Sequence, residues 1–98
     1  MSDPRVGSAM VTATAKEILR RLGRPFEATI TAYLNSKYDK GIEIIEEDPR
    51  KFYSALKELF GEFAAKIFIY NLVAELHLPV KSTEIEDLLQ ILEEYIGG

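Results

Sequence analysis

The 98-residue chain has no cysteine, one histidine and no long apolar run, and each absence removes a class of function. Without cysteine there are no disulfides, no thiolate metal sites and no cysteine nucleophile. A single histidine is too few for a histidine-rich metal site. No apolar stretch reaches the roughly 18 residues that a membrane span requires, and the start lacks the pattern of a secretory leader. The sequence therefore predicts a cytoplasmic protein that makes no use of a membrane.

The common signatures of catalysis are also missing. The sequence contains no GxGxxG, GxxxxGK, HExxH or GxSxG motif. His77 has no visible nucleophile or carboxylate partner, since Glu75, two residues away, lies on another face of a helix. We expect His77 to complement the end of a helix, and we expect neither enzymatic activity nor a cofactor.

Acidic side chains cluster at one point of the chain. Glu43, Glu46, Glu47 and Asp48 could hold a divalent cation, but the run lacks the glycine and alternating oxygens of a calcium loop. A solvated turn followed by a helix N-cap is the better interpretation, so we expect no metal site here.

The composition is that of one globular domain, with 47% apolar and 29% charged residues. Residues 1–98 are assigned to a single domain. Because Pro4, Gly7 and two serines fall within residues 1–8, this segment is predicted to be a flexible arm. Thr14 and Glu17 have the spacing of a capping box, which places the first helix start near them, with Ala9–Val11 as a possible extension.

Glycine and proline divide the rest into segments with helical periodicity, which predicts an all-α, compact bundle of about five short helices. The residues that separate these segments are Gly23, Pro25, Gly41, Asp48-Pro49, Gly61 and Pro79. Residues 42–47 form a turn or short helical piece whose isoleucines fill the core. The fourth helix, about residues 62–78, is apolar nearly all round, so we place it centrally and expect it to be covered on most sides.

Each of the five predicted helices carries a stripe of apolar residues along one face. Together these stripes exceed what a chain of this size can bury, because a small monomer has little interior. The surplus predicts an interface, and we expect a homodimer. The candidate dimer or partner interface consists of Phe68, Leu72, Leu88, Leu92 and Tyr95. The alternative is that the five stripes close completely on one another.

Charge is unevenly spread along the chain. Residues 1–41 hold seven basic and four acidic side chains, whereas residues 42–98 hold five basic and twelve acidic ones. Lys16, Arg20 and Arg24 recur four residues apart with Arg21 beside them, a possible patch for an anion or an acidic partner. The net charge of −4 makes nucleic acid an unfavoured partner.

The chain resembles the Nitrosopumilus output domain family, a group of small archaeal helical domains. The resemblance covers roughly residues 14–78 and rests on Leu22-Gly23, Leu34, Tyr38, Gly41-Ile42, Glu47-Asp48-Pro49, Phe52, Leu56, Leu59-Phe60-Gly61 and Ala64. The family places a glycine shortly after Phe-Gly, where this chain has Glu62-Phe63. The resemblance implies a non-catalytic module of archaeal signalling or regulation and carries over no ligand and no catalytic residue.

Two hypotheses of different classes follow. The first is a helical protein-interaction and dimerisation module with an unknown protein partner. The alternative is a nucleic-acid or phosphate-binding domain that uses the basic first helix, which predicts steeply salt-dependent binding.

Overall fold

The computed structural model describes residues 4–97. The helices are α1 Pro4–Leu22, α2 Arg24–Tyr38, α3 Ile44–Glu47, α4 Pro49–Phe60, α5 Glu62–Glu75 and α6 Ile85–Gly97. The predicted all-α class is confirmed, and no strand occurs within the described range. Residues 4–97 form six helices rather than about five because the segment at residues 44–47 forms one helical turn of its own.

Two glycines, and an aspartate N-cap followed by a proline, set three helix boundaries as predicted. Gly23 joins α1 to α2 with φ 117°, and Gly61 joins α4 to α5 with φ 93°. Glycine tolerates such positive φ values, which allows each pair of helices to be joined by one residue. Before α4, the Asp48 carboxylate accepts the amides of Arg50 and Lys51 at 3.1 and 3.2 Å, which confirms the N-cap.

The end of α2 differs from the prediction. This helix stops at Tyr38, three residues before Gly41. Asp39 adopts the left-handed conformation, with φ 57°, and donates its amide to the Asn35 carbonyl at 3.1 Å. A short polar residue can occupy this conformation, so the helix ends without a glycine.

The first helix starts earlier in the chain than predicted. Residues 4–8 are helical, the helix begins at Pro4 rather than near Thr14, and Met1–Asp3 lie outside the described residues. Gly7 does not loosen this segment. A β-carbon on Gly7 would lie 2.9 Å from the Tyr95 carbonyl oxygen, so the missing side chain lets α1 approach the backbone of α6.

One hydrophobic core connects the six helices. The isoleucines of the 42–47 segment, Ile42, Ile44 and Ile45, are all buried in it, as predicted. Thr12, the buried polar residue of α1, donates its hydroxyl to Glu46 Oε1 at 2.6 Å and so fixes α3 to α1.

An ion-pair group fastens α4 to α6 at the edge of the core. Arg50 donates to both carboxylate oxygens of Glu93 at 3.1 Å and contacts Glu86 at 2.6 Å. The hydrogen bonds to these two carboxylates raise the pKa of Arg50. Within residues 4–97, no helix is both long enough and apolar enough to cross a bilayer.

The apolar helix α5 packs on α1, α4 and α6. Its inward residues are Ala65, Phe68, Ile69, Leu72 and Val73. The opposite flank is exposed, so this chain alone does not cover α5 on most sides as we expected. Periodicity could not show this, because residues on both flanks are apolar.

Candidate interaction surface

An apolar groove lies where α1, α2, α4 and α5 meet. It encloses about 330 Å³, and its walls include Leu22, Phe26, Phe60, Phe63 and Ile67. Two glycine connections create it, since Gly23 ends α1 just after Leu22 and Gly61 starts α5 just before Phe63. The groove therefore depends on the same short turns that define the helices around it.

The wall residues are exposed to an unusual degree for large apolar side chains. Phe63 is 77% exposed, Leu22 52%, Ile67 42% and Phe26 41%. The rings of Phe26 and Phe60 contact each other with centroids 5.3 Å apart, which holds one wall in place. Leu22 and Phe26 belong to the apolar helical repeats of α1 and α2, but both lie at the outer edge of the core.

The groove continues onto the outer face of α5. This outer face consists of Phe63, Ala64, Ile67, Tyr70, Asn71 and Ala74, all of them exposed. At 100° per residue these six positions span about 120° of the helix circumference. None of them carries a charge, so one third of the helix surface is uncharged and open to solvent.

A second cleft extends the groove toward the C-terminal end of α5. Ile18, Leu22 and Asn71 line both depressions, and Ala74 lies in the second. The cleft ends at the ion pair of Arg21 with Glu75, which connects α1 to α5. From residue 63 to residue 75 the surface is about 18 Å long at 1.5 Å per residue, the length of a three-turn helix.

The exposed apolar area lies in the upper part of the range for the largest patch of a typical monomer. With about 200 Å² for a whole aromatic side chain and somewhat less for an aliphatic one, five residues expose on the order of 500 Å². They are Leu22, Phe26, Phe63, Ile67 and Tyr70. A patch of this size on a small protein is often a functional surface.

The structure corrects the residues that we predicted for an interface. Phe68, Leu72, Leu88 and Leu92 are buried in the chain's own core, and Tyr95 is half-buried. The first four therefore offer no surface to a partner. The apolar surplus that led us to expect an interface lies on the opposite side of α5, around Ile67.

Comparison with known proteins identifies the family. The model of the family described as Nitrosopumilus output domain 5 matches residues 5–96. The chain belongs to this family. No match was found among curated proteins.

A solved structure resembles this output domain along almost its whole length. It is the crystal structure of PH0832 from Pyrococcus horikoshii OT3, which is 28% identical with a TM-score of 0.75. The match covers 94% of this chain and 98% of that one. The helical arrangement described above is therefore that of an experimentally determined protein as well.

The basic residues of the output domain are divided between two places. Lys16, Arg20 and Arg24 line an open groove of about 840 Å³ between α1, α2 and the loop that follows α2. Arg21 points elsewhere and pairs with Glu75. Glu27 also lines this groove, so the groove carries charges of both signs.

The acidic run is used in local contacts rather than gathered around one point. The Glu43 carboxylate accepts the Gly41 amide at 2.9 Å, and the backbone amides lower the pKa of Glu43. Glu47 pairs with Lys40 at 2.7 Å, while Glu46 and Asp48 make the contacts described above. Over residues 4–97, no group of three acidic or histidine side chains is arranged to hold a metal ion.

His77 ends α5 through its backbone. It has φ 58°, its amide donates to the Ala74 carbonyl at 3.0 Å, and the Leu78 amide donates to the Val73 carbonyl at 3.2 Å. These two bonds form a Schellman motif with histidine where glycine is usual. His77 lies at the end of the helix, as expected, but it is its backbone amide and not its imidazole that satisfies a carbonyl.

Proposed function

We propose that this output domain is a non-catalytic, cytoplasmic protein-interaction module of archaeal signalling or regulation. Its docking surface is the apolar groove together with the outer face of α5. The observation that carries the proposal is the continuous exposure of Leu22, Phe26, Phe63 and Ile67 around one groove. The family's description as an output domain supports a role that passes a signal to another molecule.

The exposed apolar area is of the order that a weak contact requires. At about 25 cal/mol per Å², covering on the order of 500 Å² of apolar surface gives a gross gain of roughly 12 kcal/mol. Association itself costs an estimated 4–15 kcal/mol. The gain lies within the range of this cost, so contact through this surface alone is weak and reversible, which suits a module that has to release its partner.

A thiol-reactivity experiment tests whether this surface is covered in the cell. The natural chain has no cysteine, so Ala74→Cys introduces a single thiol on the outer face of α5. Met10→Cys is the matched control, because Met10 lies on a helix, is 47% exposed and lines neither apolar depression. A membrane-permeant maleimide is applied to cells that produce each variant and to each purified protein at high dilution.

We expect the thiol at position 74 to react several-fold more slowly in cells than in dilute solution. The thiol at position 10 should react equally in both. Equal reactivity at position 74 in cells and in solution would contradict the proposal, because a docking surface in use is shielded from the reagent.

A second candidate function is anion or nucleic-acid binding through the basic groove. The observation in its favour is that Lys16, Arg20 and Arg24 share one concave surface. Binding to DNA or RNA at low salt, lost steeply as salt rises and weakened by Arg20→Ala, supports this candidate. Absence of binding at low salt eliminates it.

A further inference from the structure

The outer face of α5 carries a second helical repeat in addition to the one that faces the core. Phe63, Ile67, Tyr70 and Ala74 are separated by four, three and four residues. This is the spacing of the seam along which two helices pack in a coiled coil. Because the inward stripe already accounts for core packing, the outer seam has no partner within the described part of the chain.

We infer that the occupant of this seam is the α5 helix of a second copy, packed antiparallel across a twofold axis. This inference rests on the proposed function, since it names the partner of the same surface. The axis passes between Ile67 and Tyr70. Each Ile67 then meets Tyr70 of the other copy, and each Phe63 meets Ala74 of the other copy.

Side-chain size along the seam favours this arrangement over others. In the antiparallel pair, every contact joins one aromatic residue to one smaller residue, so the two helices can keep a constant separation. In a parallel pair, Phe63 would meet its own copy at one end and Ala74 its own copy at the other, leaving a clash or a void. If the surface bound an unrelated helix, the order of large and small side chains along it would not need to be complementary to the same order read in the opposite direction.

Charge and area agree with a second copy. The six positions of the outer face are uncharged, and Glu75 at its end is held by Arg21, so two copies meet without burying a free charge. If the groove residues Leu22 and Phe26 are covered together with the seam, two patches of about 500 Å² bury at most roughly 1,000 Å² in total, which is the size of a weak interface. The expected dimer is therefore reversible and concentration-dependent.

Sedimentation velocity from about 1 to about 300 µM tests the association directly. We expect the natural chain to shift from monomer to dimer within this range. Ile67→Glu places two carboxylates beside the axis and should weaken dimerisation by about 100-fold or more. Met10→Glu, a matched change at an equally exposed helical site, should dimerise like the natural chain, and circular dichroism should show that both variants are folded.

Cross-linking tests the antiparallel orientation separately. Ala64→Cys and Ala74→Cys are mild changes at exposed positions near opposite ends of the seam. Under mild oxidation, which joins two neighbouring thiols directly, a mixture of the two variants should give a disulfide-linked heterodimer, whereas either variant alone should give little product. Efficient cross-linking of each variant to itself indicates parallel helices and overturns the inference.

The results distinguish this inference from the proposed function. A natural chain that stays monomeric throughout the range, or a dimer that Ile67→Glu leaves unchanged, overturns the second copy as the occupant. If the thiol at position 74 is nevertheless shielded in cells, the surface binds another protein and the proposed function stands. If neither shielding nor dimerisation is found, both are wrong.

Discussion

The two faces of α5 predict sharply different costs for two similar substitutions. Leu72 is fully buried near the C-terminal end of the helix, whereas Ile67, five residues earlier, is 42% exposed. Replacing each by alanine removes a comparable amount of hydrocarbon. Only Leu72→Ala opens a hole inside the core, so its effect on stability should be much larger.

The magnitudes follow from burial. Leu72→Ala removes three carbons, worth about 2.4 kcal/mol at 0.8 kcal/mol per methylene, and the cavity brings the cost to about 3–5 kcal/mol. For a domain of this size, a loss of about 3 kcal/mol lowers Tm by roughly 12–24 °C. Ile67→Ala loses just over half of its transfer energy and leaves no closed cavity, so it should cost about 1–1.5 kcal/mol.

Urea unfolding followed by circular dichroism measures both values. The protein is kept at a concentration where it is monomeric, so that association does not add to the apparent stability. The free energy of unfolding should fall at least twice as far for Leu72→Ala as for Ile67→Ala. Equal losses would show that we have assigned the inward and outward faces of α5 incorrectly.

Three further substitutions test local features of the fold. His77→Gly should stabilise the protein by about 0.5–1 kcal/mol and raise Tm, because relief of the left-handed strain at this position outweighs the added freedom of the unfolded chain. His77→Ala keeps the β-carbon and should not stabilise the protein. Asp48→Ala should cost about 1 kcal/mol in chemical denaturation through loss of the N-cap, whereas Asp48→Asn should retain most of it; equal losses would contradict the cap. The folded-state pKa of Glu43 lies below its unfolded value, so its carboxylate stabilises the fold above the unfolded pKa, and this contribution disappears as pH falls through the folded pKa. Glu43→Gln should therefore make stability less dependent on pH in acid titrations below about pH 4, and an unchanged profile would refute that role.

Much of the helical framework was predictable because turn residues act locally. Gly23, Asp48-Pro49 and Gly61 fix helix ends through backbone geometry and capping, which depend only on neighbouring residues. Gly7 shows where this reasoning fails. Its role is a close approach to a residue 88 positions later in the chain, and no local pattern reveals such a contact.

The existence of an exposed apolar surface was predictable from the sequence, but its position was not. The sequence contains more apolar residues than a small monomer needs, and this surplus is visible from composition. Which flank of α5 faces inward depends on how α1, α4 and α6 pack around it. Leu72 and Ile67 are equally apolar, so periodicity alone did not show that Leu72 is buried and Ile67 exposed.

The close approach of Gly7 to Tyr95 brings the beginning of α1 beside the end of α6. Adjacent ends make a domain easy to insert into a loop of a host protein, or to permute by joining the ends and opening a different loop. The segment at residues 78–84 between α5 and α6 is an accessible point for such an opening. A fused tether attached near α1 or α6 would leave from that junction, so the geometry of any engineered fusion is set by one glycine.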